Sequence, residues 1–286
     1  MKPVTNGSVL HLHELQMRTQ KETKKRFSNL AATFKSIILF SVFTLMLLGA
    51  KAQISVYQYR HVPNENVTEF IFRETNYWSK VARKAIDNKK MSFWGLFQKV
   101  GGYDLPNSSN FLFINTFSNI DSASMSEIWD PGKIFPGVPQ NQIETNSIST
   151  TTSQFFLHPQ NWAQDEKAMP DKDFNYVVMV YHNTNYPDSL INMENKYWAP
   201  FIKTAMDKNQ TPQMAWGNAT VLAPRGDDIK FTTVSFDVYK TLQDALMPNW
   251  NSNVKFPEDG LSMINNIELS RRGITIYRVV KVESSN

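Results

Sequence analysis

The chain has 286 residues, no cysteine, 13% aromatic residues and a formal charge of +4. Without cysteine it forms no disulfide, presents no thiolate and carries no cysteine-linked lipid. The positive charge belongs to the N-terminus: residues 1–52 hold eight of the 30 basic residues and two of the 26 acidic ones, leaving 22 against 24, net −2, so nothing basic remains to argue for nucleic acid.

In chain order, the leader comes first. Lys21, Lys24, Lys25, Arg26 and Lys35 precede an apolar run over 37–48 and a small-x-small site, Ala50-Lys51-Ala52. That order is the pattern of a secretory signal peptide. The apolar run is shorter than the roughly 20 residues of a spanning helix. Residues 1–52 are therefore expected to be a signal peptide with an extended leader, with Met17 as an alternative start. The mature chain would begin at Gln53, be secreted or periplasmic, and hold no stable membrane span. Export without disulfides suits a bacterial envelope. The Ala-Lys-Ala-Gln junction resembles the signal-peptide ends of Bacteroidetes.

Ile54–His61, rich in β-branched and aromatic residues, predicts a strand. Thr68 to about Asn88 predicts a helix, with Phe70, Tyr77, Val81 and Ala85 on one face. Strands follow at Met91–Gln98, Phe111–Phe117 and Ser153–Leu157, with a short helix at Ser122–Trp129 and a loop dense in Pro and Gly from Pro131 to Pro139. The polar stretch from Gln160 to Asp173 predicts a linker. Then the order returns. Asn175–His182 predicts a strand. Asp188–Lys208 predicts a helix, broken or kinked near Pro200. Strands at Met214–Leu222, Ile229–Phe236 and Ile274–Val280 alternate with helices at Lys240–Met247 and Met263–Arg272.

The return is literal in places. Glu74-Thr-Asn-Tyr77-Trp78 comes back as Glu194-Asn-Lys-Tyr197-Trp198, Trp94-Gly95 as Trp216-Gly217, and Trp129 with Phe135-Pro136 as Trp250 with Phe256-Pro257. Matches kept in order mean that one unit was written twice. Each unit reads β-α-β-β-α-β, the ferredoxin-like plait. The expected fold is α+β: repeat 1 at 53–160, a linker at 161–173 and repeat 2 at 174–286. Phe111–Ile114 and Val177–Val180 are apolar on consecutive residues, so their strands are covered on both faces. A plait covers one face with its own helices. A second copy is the economical cover for the other, closing a pseudo-dimeric barrel.

On this element order and duplication the chain resembles the dimeric α+β barrel superfamily. That group includes stress-responsive barrel proteins, antibiotic-biosynthesis-type monooxygenases, ethyl tert-butyl ether-degradation-type proteins and chlorite-dismutase-like haem proteins. The resemblance implies both halves of the usual dimer in one polypeptide, as a monomer with an internal pseudo-two-fold or as a homo-oligomer.

No His/Cys/carboxylate ligand spacing, phosphate-binding glycine loop or Gly-x-Ser-x-Gly elbow is present. No metal and no cofactor is expected. Chemistry points instead to two carboxylates. On a wheel of about 100° per residue, Glu74 falls among Phe70, Tyr77, Val81 and Ala85, and Glu194 among Leu190, Tyr197, Phe201 and Ala205. A carboxylate inside an apolar stripe is costly unless hydrogen-bonded or protonated. Two readings stay open: a structural carboxylate with hydroxyl or indole partners, or a pocket acid acting as base or acceptor. The second makes Glu74 and Glu194 the candidate catalytic residues. His61, Tyr77, Trp94, His182, Tyr197 and Trp216 are then candidate ligand-lining residues, the two histidines placed at equivalent strand ends. The expected function is a secreted or periplasmic barrel binding a small apolar or aromatic ligand, for which the resemblance implies cofactor-independent monooxygenase-like chemistry. The alternative is a non-catalytic envelope protein for partner binding or assembly.

Overall fold

The computed structural model describes residues 53–101, 108–123, 126–226, 228–267 and 273–285. The expected signal peptide lies outside them, as do the last residues of the helix expected to reach Arg272. Four strands form the first half: β1 (Ile54–His61), β2 (Met91–Lys99), β3 (Phe111–Phe117) and β4 (Thr150–Gln164). Four form the second: β5 (Tyr176–His182), β6 (Gln213–Ala223), β7 (Thr233–Tyr239) and β8 (Gly273–Ser284).

All pairings are antiparallel, and the order β1-β3-β2-β8-β5-β7-β6-β4 closes on itself. Within each half the fourth strand lies beside the first, the first beside the third, and the third beside the second. That is the plait. The halves join through their edges, β2 on β8 and β4 on β6, so each strand has a neighbour on both sides. Closure explains the doubly apolar strands. Leu112 and Phe97 point into a barrel core with Tyr57, Tyr59, Met179 and Val234, while their neighbours Phe111, Phe113 and Leu96 pack outward.

Register fixes the equivalence of the halves. Trp94 faces Asn115 and Trp216 faces Asp237; Ile54 faces Phe117 and Tyr176 faces Tyr239. Positions in the first three strands therefore correspond at an offset of 122. The repeated indole pairs match as well: Trp78 and Trp129 lie 6.3 Å apart, Trp198 and Trp250 6.4 Å.

The first helix of each half differs from expectation in one respect. Helix α1 is built of Val67–Arg73, a π-helical turn Glu74–Trp78, and Ser79–Asp87. Helix α2 repeats this as Pro187–Met193, Glu194–Trp198 and Ala199–Asp207. The amide of Ser79 reaches the carbonyl of Glu74, five residues back, as that of Ala199 reaches Glu194. Such a turn holds one more residue than an α-turn. A wheel of constant pitch therefore loses phase across it. Tyr77 and Tyr197, placed at the centre of the apolar stripe, are only half-buried. Pro200 sits in the first turn after the π-helical residues, and the irregularity expected near it is that turn.

Two short helices complete the second half, α3 (Leu242–Leu246) and α4 (Glu258–Ile267). Helix α4 lies on the π-helical turn so closely that a Cβ at Gly260 would meet Tyr197 Cβ at 2.5 Å. Strand boundaries moved in β4, β7 and β8, the last running to Ser284 rather than Val280. β4 runs to Gln164 through the start of the expected linker, because its backbone pairs with β6 whatever the side chains of Gln160, Asn161 and Gln164 are. β7 starts at Thr233 rather than Ile229.

Candidate functional site

The π-helical turns aim both glutamates at the sheet. Glu74 is 3% exposed and Glu194 5%. Around Glu74, the Thr145 hydroxyl donates to Oε1 at 2.7 Å, and Arg60 Nη1 donates to the same hydroxyl at 3.3 Å. Arg60 also donates to Asn146 and lies over the rings of Phe70 and Phe113, 5.9 Å from each centroid. This buried guanidinium and carboxylate are held between phenylalanines.

Around Glu194 the same geometry carries other residues. Asn218 Nδ2 donates to Glu194 Oε2 at 2.9 Å, and to Asn195 Oδ1 at 3.1 Å. His182 Nε2 lies 3.6 Å from Glu194 Oε1, an ion-pair rather than a hydrogen-bond distance, and 2.7 Å from Ser235 Oγ. Asp237, on the same strand face two residues on, accepts from Gln213.

The strand offset makes the comparison residue by residue. Arg60 corresponds to His182, Phe111 to Thr233, Phe113 to Ser235, Asn115 to Asp237 and Leu96 to Asn218. Half one fills its helix–sheet layer with Phe70, Phe111, Phe113 and Leu96. Half two lines the same layer with Thr233, Ser235, Asn218 and Asp237 around a histidine–glutamate pair. Polar groups inside a protein are retained at a cost unless each finds a partner. Asn218 Oδ1 and Thr233 Oγ1 have none, and in half one the same holds of Asn115 Oδ1 and Arg60 Nε. The outer wall of half two is aromatic: Phe201 stacks on Trp250 at 5.9 Å and meets Trp198 at 5.1 Å.

Burial raises the Glu74 carboxyl from 4.5 to about 7, against the pull of Thr145 and Arg60. Burial likewise raises Asp237 from 3.8 to about 7, with the Glu194 charge adding to it and Gln213 opposing. A carboxyl raised in the folded state holds a proton that the unfolded chain has released. Stability is then fully present below the unfolded value and is lost as pH rises through the folded one. Denaturation midpoints are therefore expected to fall from pH 5 to pH 8. Glu74 alone accounts for roughly 3 kcal/mol at 1.36 kcal/mol per unit. Urea titrations of Glu74→Gln check this: stability near that of the parent protein at pH 5, where Glu74 holds its proton, and a flatter pH dependence, so that the difference shifts in favour of glutamine by pH 8.

Of the residues singled out in the sequence, Glu194, His182 and Trp216 share one layer, and Tyr197 holds its rim against α4. Trp94 is core in half one. Tyr77 lies outside, in edge-on contact with Phe72 and Phe135. His61 is not the partner of Glu74: it lies one residue past the equivalent of His182, and its Nδ1 meets the Ser108 carbonyl at 2.7 Å. Arg60 takes that place. Arg60, Asn218, Ser235 and Asp237 were missed. The signal was available in the alignment of Phe111–Phe117 with Thr233–Tyr239, where Phe, Phe and Asn on one face become Thr, Ser and Asp. Among the described residues no group of three His, Asp or Glu could hold a metal ion, and no helix is long and apolar enough to cross a membrane.

No family model matches the chain, and no curated protein matches it. Solved structures do. Two are described as putative monooxygenases. The one from Lactobacillus acidophilus NCFM has a TM-score of 0.55 at 11% identity, covering 82% of this chain and 97% of its own. The one from Fusobacterium nucleatum has a TM-score of 0.51 at 11% identity, covering 83% and 96%. An anthrone oxidase-like protein has a TM-score of 0.50 at 13% identity, covering 82% and 94%. The likeness runs over both halves and is one of fold: two plaits in one polypeptide, closed into an α+β barrel.

Proposed function

We propose that the second half binds a small aromatic molecule bearing an acidic proton, and that Glu194, paired with His182, takes that proton. The observation that carries this reading is the divergence of the two halves. The same backbone, π-helical turn and glutamate occur twice. One copy is packed with phenylalanine around an arginine; the other keeps hydroxyls, amides and a second carboxyl around a histidine. A guanidinium stays charged, and in half one it reaches the glutamate through the Thr145 hydroxyl. An imidazole can accept and return a proton near neutral pH. The wall of Trp198, Phe201 and Trp250 suits an aromatic ring.

The reaction class that fits is oxygenation of an activated methylene or phenol. Proton loss leaves an electron-rich anion on the substrate, and the hydroxyls and amides of Ser235, Thr233 and Asn218 can hold it. Conversion of a methylene to a carbonyl by dioxygen releases one water and needs no outside reductant, so the electrons balance on the substrate itself. The fold neighbours described as monooxygenases and as anthrone oxidase-like support this class without fixing the substrate. Export stands beside it as a proposal, resting on the order of basic, apolar and small residues in 1–52. N-terminal sequencing of the native protein is expected to begin near Gln53.

Binding is tested with 5-fluorotryptophan protein and a panel of phenols and anthrone-like ketones. The Trp216 fluorine signal is expected to shift on binding while that of Trp94, its counterpart in half one, stays in place. Shifts at Trp94 alone would place the ligand in the wrong half and overturn the reading.

A further inference from the structure

Inside the barrel lies a cavity of about 740 Å³, at the end where β1 and β5 finish. Among its lining groups are three tyrosine hydroxyls. Tyr59 Oη donates to Tyr181 Oη at 3.1 Å, and Tyr181 is hydrogen-bonded to Tyr277. Tyr59 and Tyr181 are equivalent positions of the two halves, the first opposite Leu112 in β3 and the second opposite Val234 in β7. Equivalent hydroxyls that touch mark the pseudo-two-fold axis, and the cavity is lined by both.

A true dimer presents every residue twice around such an axis. This chain does not. Ser153 is answered by Gly273, Phe155 by Thr275 and Leu157 by Tyr277, each matched through its partner on β1 or β5. One wall is aromatic: Phe231 lies 4.7 Å from Phe155 and 5.0 Å from Tyr181, centroid to centroid. The opposite wall offers the hydroxyls of Thr275 and Tyr277. Lys99 and Lys230 stand among the lining residues, with Asp228 as the one acid there among the described residues. Duplication has let an axial mouth become one-sided, as a site for an asymmetric molecule must be.

We propose that this mouth is a second binding site, distinct from the Glu194 layer, for a small aromatic carboxylate. The volume lies within the roughly 300–1,000 Å³ of small-molecule sites. A ring fits against Phe155 and Phe231 in the tilted and edge-on contacts that aromatic groups favour. A phenolic or carbonyl substituent meets the tyrosine hydroxyls. Burial holds Tyr59, Tyr181 and Tyr277 protonated far above neutral pH, so they act as neutral donors and acceptors. The carboxylate faces the two lysines, whose charge exceeds that of Asp228 and favours an anion.

The probe is 6-hydroxy-2-naphthoate, titrated calorimetrically into the full mature chain. Saturable one-to-one binding is expected, with 2-naphthol, which lacks the carboxylate, at least tenfold weaker. Thr275→Phe puts the Phe155 ring on both sides of the axis and should abolish binding. Tyr181→Phe removes a single oxygen and should weaken it several-fold, which keeps the proposal testable if Thr275→Phe fails to fold. Glu194→Gln should leave the affinity unchanged. Absence of binding overturns the proposal. So does affinity indifferent to the tyrosine and threonine changes, or affinity lost only in Glu194→Gln, which would place the probe in the second-half layer. Equal affinity for 2-naphthol overturns the assignment to carboxylates.

Discussion

Arg60→Met is expected to cost about 2–3 kcal/mol at pH 8, because it removes the cation whose charge, and whose hydrogen bond to Thr145, support the buried Glu74 carboxylate. The cost should be clearly smaller at pH 5. Arg60 is 6% exposed and is the cation beside Glu74. Methionine fills part of the space over Phe70 and Phe113 but supplies no charge. At pH 8 the Glu74 carboxylate is then left buried with Thr145 as its donor. At pH 5 it takes up a proton, and the penalty falls to the loss of hydrogen bonds and packing. Denaturant titrations at both pH values measure the difference. The double variant Arg60→Met, Glu74→Leu should recover most of the loss, because a buried pair replaced by apolar residues is often neutral. An equal cost at both pH values would mean that the pair matters only through packing.

Glu194→Gln is expected to lower turnover by about 10²–10⁴, the usual contribution of a positioned general base, with little change in substrate affinity. Glutamine keeps the oxygen that accepts from Asn218 Nδ2, so the turn and the amide network stay in place. Only the capacity to hold a proton is lost. Glu74→Gln is the control within the same molecule: an equivalent carboxyl at an equivalent turn, with turnover expected to stay within about threefold once enough folded protein is compared. Steady-state rates on a substrate found through the Trp216 signal decide it. If both variants lose activity alike, the halves are not functionally distinct and the effect is one of stability.

Much of the fold was legible because it was written twice. Repeated Trp and Glu motifs marked the halves, and strands apolar on consecutive residues, such as Phe111–Ile114, called for cover on both faces, which a second copy supplies most economically. The π-helical turns were not legible. A periodicity argument assumes constant pitch, and one extra residue in a turn leaves the glutamates buried while moving Tyr77 and Tyr197 outward. The histidine pairing failed for a related reason. Helix positions repeat at 120 and the first strands at 122, and a pairing of His61 with His182 needs 121. Backbone register, which side-chain chemistry does not announce, gives the place to Arg60. The polar run in β4 failed likewise, since strand pairing to β6 is a backbone matter and tolerates glutamine and asparagine on the outer face. What the sequence did hold, unread, was the difference between its halves. Thr233, Ser235 and Asp237 look like the solvent side of an ordinary amphipathic strand. Only when set against Phe111, Phe113 and Asn115 do they mark a buried face that is polar where its counterpart is apolar.

The central claim is that one half of the duplicated barrel has become the working half. Its most direct measurement is the crystal structure of the protein with a ligand identified by the Trp216 shift. Ligand density is expected between α2 and the β6–β7 face, with a polar atom within hydrogen-bond reach of Glu194 and the ring against Trp198 and Phe201, and none beside Glu74. Ligand lodged against Glu74 and Arg60, or equally in both layers, would contradict it.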